Sequence, residues 1–145
     1  MSSCPKPFLK FNLKNRNIFN TKRYFTISDY FPSHKQLLIR SSKTNENSKN
    51  IDVVFFGVNY LQIPTSFKGM SIDVLDKDDL IITKELETFR NLGNNYIFKI
   101  SSEKSISFLV ASFVRVFENS LEFNETSLGI SNGTKGREVE LIRFI

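Results

Sequence analysis

The chain has one cysteine and one histidine among its 145 residues. A single cysteine excludes an internal disulfide framework and every multi-cysteine zinc site. A single histidine excludes His-rich metal centres and leaves at most one imidazole base. No apolar run approaches the roughly 18 residues that a membrane-spanning helix needs. No secretory h-region of about 7–15 apolar residues follows the start. Without such a signal, the sequons at Asn124 and Asn132 read as chance matches. There is no internal repeat, no G-x-G-x-x-G and no G-x-S-x-G.

What is present is apolar mass. Hydrophobic residues make up 40% of the chain, with 15 phenylalanines. That is enough to build a core, so a wholly disordered chain is excluded. The length fits a single domain.

Charge is uneven. Residues 1–50 hold ten Lys and Arg against Asp29 and Glu46, a net of +8, whereas residues 51–145 hold ten against thirteen acids, a net of −3. The expected organisation is a basic N-terminal segment, 1–50, ending in the loop 41–50, followed by a compact β-rich core, 51–145. Residues 1–28 contain no acid, and Phe8, Phe11, Phe19, Tyr24 and Phe25 lie among the bases. Three readings follow. The segment is a first strand or arm with a solvated basic face. Alternatively it is a phosphate-contacting arm in which Lys10, Lys14, Arg16, Lys22 and Arg23 displace counterions from nucleic acid. The third reading is an organellar presequence, against which stand the excess of Lys and Asn and the early Pro5 and Pro7. The expected location is cytoplasmic, or organellar under the third reading.

Along the chain, 12–20 reads as loop, Tyr24–Ile27 and Gln36–Arg40 as strands, and Ser28 and Asp29 as caps. Ile51–Phe56 is a strong strand with a bend expected at Gly57. Val58–Ile63 alternates, Thr65–Gly69 reads as a turn, and Met70, Ile72 and Val74 mark a half-buried strand. One helix is expected over about residues 77–92, with Ile82, Leu86 and Phe89 on one face and Gly93 as its stop. The competing reading there is a strand at Leu80–Thr83. Tyr96, Phe98 and Ile100 alternate, and Ile106–Val116 is apolar on both faces, as in one long central strand or two joined by a bulge near Ala111. Leu121–Phe123 reads as the start of a return strand, Ser131–Gly136 as a turn and Val139–Phe144 as a last strand. The expected fold class is therefore α+β: a predominantly antiparallel sheet with one helix packed on one face and a basic N-terminal arm.

No catalytic constellation emerges. His34 sits in a polar segment, and Ser33 beside it does not make a nucleophile–base pair by adjacency. Cys4 next to Pro5 has nothing to depress its pKa. An EF-hand loop from Asp76 would need Gly where Ile81 stands. Gly129–Lys135 has Thr before Lys, the wrong order for a phosphate-cradling P-loop. Val53–Tyr60 lacks the basic start of an RNA-binding strand, so Phe55, Phe56 and Tyr60 read as core. No cofactor or metal is called for.

The stretch Phe56-Gly-Val-Asn-Tyr-Leu-Gln-Ile-Pro64 resembles small β-rich bacterial proteins, some of immunity-protein type. That resemblance carries no site residue across. The leading expectation is a non-enzymatic protein–protein interaction module, an immunity-type inhibitor being one form of it. Its candidate surface is the acidic set Asp76, Asp78, Asp79, Glu85 and Glu87, which would steer a basic partner. Nucleic-acid binding through the basic segment is the alternative.

Overall fold

The computed structural model describes residues 16–76, 84–89, 93–128 and 139–144. In chain order these form β1 (Arg16–Phe31), a 3-10 turn (Pro32–His34), β2 (Gln36–Ser41), β3 (Asn50–Phe56), β4 (Tyr60–Gln62) and β5 (Ser66–Leu75). Then come α1 (Lys84–Glu87), β6 (Tyr96–Ser101), β7 (Ile106–Ala111), β8 (Phe113–Asn119) and β9 (Val139–Phe144). Every ladder is antiparallel, in the order β4-β7-β6-β5-β1-β2-β3-β8-β9.

This order closes on itself. β3, seventh in the ladder, runs into β4, the first, across residues 57–59. β7, the second, runs into β8, the eighth, across Ser112 alone. The two bends stay paired: Ser112 N–H donates to Phe56 O at 2.8 Å, and Asn59 N–H donates to Val110 O at 2.8 Å. β3–β4 and β7–β8 therefore act as two bent strands turning one corner of a flattened barrel, with β9 added on the outer edge of β8. Gly57 makes the corner possible. Its φ is +66°, and a Cβ there would collide with Ser112 Oγ.

β1 turns the opposite corner. Its first part pairs with β5 and its last part with β2, the two sharing Thr26. Register shifts between Asn17 and Phe19, Thr21 and Tyr24, and Ile27 and Asp29 bend it from one sheet into the other. Gly69, at φ +79°, stands in β5 opposite the second shift.

Alternation then fills the inside. Phe25, Leu37, Ile39, Val53, Phe55, Met70, Ile72, Phe98, Leu109 and Val114 are buried in one continuous core. Phe55 meets Phe98 edge-on at 5.3 Å between ring centroids. Phe144 packs on Tyr96 and Phe98 at 4.9 and 5.9 Å, so β9 covers part of this core.

Several expectations are corrected. The helix over 77–92, packed as a layer, is not found: among the described residues α-helix is confined to the single turn α1, while 77–83 and 90–92 lie outside them. Ile81-Ile82-Thr83 is a β-branched run that disfavours helix before Lys84. The fold is mostly antiparallel β with very little helix, rather than α+β. The basic segment is not an arm over residues 16–31, which form β1 in the middle of the ladder; residues 1–15 lie outside the described residues. Nor is 16–20 loop. Asn17 Nδ2 bonds Ser71 Oγ at 2.8 Å and Asp73 Oδ1 at 2.9 Å, so its amide serves the strand pairing. Residues 66–69 belong to β5 instead of a turn, Ser28 and Asp29 lie within β1 rather than capping, and β4 is shorter than the alternation at 58–63 suggests. The turn expected at Ser131–Gly136 lies outside the described residues.

Candidate functional site

Alternation that sends Leu37, Ile39, Val53 and Phe55 inward sends Arg40, Asp52 and Asn119 to the outer face of β2, β3 and β8. Arg40 and Asp52 stand directly opposite each other in the ladder. Arg40 Nε donates to Asp52 Oδ1 at 2.7 Å and Nη2 to Oδ2 at 2.9 Å, a bidentate pair. Both residues are buried, Asp52 completely. Asn119 Nδ2 donates to Asp52 Oδ2 at 2.7 Å, and Asn50 Nδ2 to Asn119 Oδ1 at 2.8 Å.

What buries these groups is the segment after β8, and the same groups hold it down. Arg40 Nη1 donates to Glu125 O at 2.7 Å and reaches Glu122 O at 3.4 Å. Asn50 Nδ2 donates to Leu121 O at 2.8 Å. Lys43 Nζ donates to Ser120 O at 2.8 Å and to Glu122 Oε2 at 3.0 Å, and Lys49 Nζ to Ser120 Oγ at 2.9 Å. Further along, Leu128 is buried among Leu38, Val54 and Phe117. The segment is thereby fixed at both ends and from below.

At its tip the chain makes a turn in which Glu125 N–H donates to Glu122 O at 2.9 Å. Glu122 N–H donates to Glu125 Oε1 at 2.8 Å, closing the turn a second time. Phe123 sits on it with 90% of its surface exposed, the most exposed of the large apolar residues described. A groove of about 480 Å³ runs beside it, between residues 26–29 of β1 and the turn, with Leu38 and Arg40 in its floor. The segment read from sequence as the start of a return strand is this turn instead.

Both Asp52 oxygens already accept charge-assisted or amide hydrogen bonds, and neither reaches solvent. Among the described residues no group of three or more His, Cys, Asp or Glu could hold a metal ion.

The expected site residues are scattered. Arg23 Nε donates to Ser41 Oγ at 2.9 Å, and Nη2 to Ser41 O, Ser42 O and Lys49 O at 2.9–3.3 Å. It ties β1 to the loop 42–49. Burial lowers its pKa below the ordinary arginine value, with Glu118 pulling the other way. Arg16 lies over the Phe144 ring at 5.3 Å, and Lys22 is exposed. Lys10 and Lys14 lie outside the described residues. In the acidic set, Asp76 follows β5 and is half-buried, and Glu85 and Glu87 are exposed on α1. Asp78 and Asp79 lie outside the described residues. His34 is exposed, its ring 4.9 Å from that of Phe31.

The Arg40–Asp52–Asn119 cluster and Phe123 were not singled out by sequence reasoning. One signal for the former existed: a lone Arg after Leu37-Leu38-Ile39, and a lone Asp between Ile51 and Val53. A single charge inside each of two apolar strands implies that the two are paired.

No family model, curated protein or solved structure matches the chain. The fold and this turn are therefore what define its class: a closed antiparallel β scaffold presenting an anchored loop. Among the described residues no helix is long and apolar enough to cross a membrane.

Proposed function

We propose that the chain is a non-enzymatic protein-interaction module whose contact point is the Phe123 turn. The observation that carries this reading is the 90% exposure of Phe123 on a turn held by a buried ionic network. Exposing an aromatic side chain forgoes apolar burial, and fixing a loop costs conformational entropy. Both costs are recovered when a partner buries the ring, because the loop has no further order to lose. Aromatic residues on rigid loops are the usual anchors of interfaces. Glu122 and Glu125 are exposed on the turn; Lys43 already pairs with Glu122 at 3.0 Å, which leaves Glu125 to meet a basic group on the rim of the partner's apolar pocket. An inhibitor that occludes a basic target is one form of this function.

The test is site-specific photo-crosslinking in the cell that natively makes the chain. Phe123→p-benzoylphenylalanine should give one discrete adduct. Ile106→p-benzoylphenylalanine, at an equally apolar position that is 62% exposed on β7, should not. Equal adducts at both positions, or none at position 123, would overturn the reading.

A further inference from the structure

A second feature lies at the corner of the barrel near the hairpin β1–β2. The ladder between β1 and β5 ends at Thr26 opposite Ser66, and β4 is the first strand of the ladder. Ile27 N–H still donates to Thr65 O at 2.8 Å; beyond it no ladder among the described residues joins β1 to β4, and a cleft of about 390 Å³ opens between them. Its floor is the core itself, formed by Ile27, Leu37 and Val58. Its rim is Tyr30 and Leu61, 44% and 41% exposed although both belong to inward-facing positions, opposite Leu37 and Leu109. Three lining residues carry polar groups, Tyr30, Tyr60 and Asn59, and Asn59 brings a cation beside the opening: Lys35 Nζ, just outside the lining, donates to Asn59 Oδ1 at 3.2 Å. Asn59 is held in turn by its bond to Asn95 Oδ1 at 2.8 Å. Among the described residues no carboxylate pairs with Lys35.

The backbone at Lys35 points the same way. Lys35 is the only non-glycine residue described with a positive φ, at 51° with ψ 44°. A glycine would close this hairpin with less strain. The backbone holds Lys35 in this conformation, its N–H donating to Pro32 O at 3.2 Å and its O accepting from Val58 N–H at 3.0 Å, and the side chain lies beside the cleft.

From the apolar cleft and the cation at its rim we propose that this opening binds a small amphipathic monocarboxylate of the medium-chain fatty-acid class. The alkyl body lies on Ile27, Leu37 and Val58 between Tyr30 and Leu61. The carboxylate meets Lys35 and accepts its charge-assisted hydrogen bond. Pockets of a few hundred Å³ with a mainly apolar lining and a few placed polar groups are the usual form of small-ligand sites. This proposal does not rest on the Phe123 turn, although Ile27 lines both openings.

Calorimetric titration with decanoate below its micelle concentration tests the proposal, alongside 1-decanol and decyltrimethylammonium as charge controls. Methyl NMR reports the location. Decanoate should bind and shift the Leu37, Val58 and Leu61 methyls, about tenfold more tightly than decanol. The cationic probe should not bind measurably. Lys35→Gly should lower decanoate affinity to that of decanol while leaving thermal stability unchanged or raised, which separates binding from folding. Leu61→Asp should abolish binding of both decanoate and decanol. Equal affinity for decanoate and decanol, an unchanged affinity in K35G, or methyl shifts elsewhere in the barrel would overturn the assignment. So would tighter binding at the same methyls by a peptide ending in a free leucine carboxylate, since the site would then be a docking groove for protein chain ends.

Discussion

Two covers lie on the outside of the barrel, and they are held by different forces. Over β5, β6 and β7, the α1 turn is seated by Leu86 on Leu75, Ile97 and Val110, with Phe89 alongside. Over β2, β3 and β8, the segment 120–128 is held mainly by hydrogen bonds and charge, from Arg40, Lys43, Lys49 and Asn50. Apolar contact is non-directional and tolerates sliding. A bidentate ion pair with its remaining donors spent on named carbonyls does not. The first cover seals the sheet. The second fixes where Phe123 points.

This contrast can be broken at each cover in turn. The largest effect is expected from Asp52→Ala. It leaves the buried Arg40 guanidinium without its carboxylate, which should cost about 3–5 kcal/mol in urea unfolding. Replacing both partners, Arg40→Met with Asp52→Leu, should cost far less, about 1–2 kcal/mol, because the principal group left without an acceptor is the Asn119 amide. Leu86→Ala should cost about 2–3 kcal/mol by the same measurement and leave the Phe123 turn rigid. Phe123→Ala should be nearly neutral, within about 0.5 kcal/mol, while abolishing partner capture by a photo-crosslinker placed at the exposed Asn124. A large loss of stability in F123A would mean that the ring serves the fold rather than a partner.

The sequence makes the regular parts of the barrel readable. Met70, Ile72 and Val74, and Tyr96, Phe98 and Ile100, alternate because one face of each strand is buried, and both strands appear as expected. The bend at Gly57 is also readable from the residue itself, and its positive φ bears that out. β1 is not readable. Its Asn-rich start and its Ser28-Asp29 pair favour turns locally, but β5 and β2 supply partners from far along the chain. The turn at 122–125 is hidden for the same reason. Leu121-Glu122-Phe123 alternates as a strand would, and the override comes from Arg40, more than eighty residues earlier. Over 77–92 the spacing of Ile82, Leu86 and Phe89 suits a helix, but among the described residues helix covers only Lys84–Glu87.

The central claim is that the ionic cluster makes the Phe123 turn rigid. Backbone 15N order parameters over residues 121–125 test it most directly, compared with β3 and with the double variant R40M/D52L. In the wild type these residues should match β3, near 0.85; in the folded double variant they should drop below about 0.6. A turn already mobile in the wild type, or still rigid after the cluster is removed, would contradict the account.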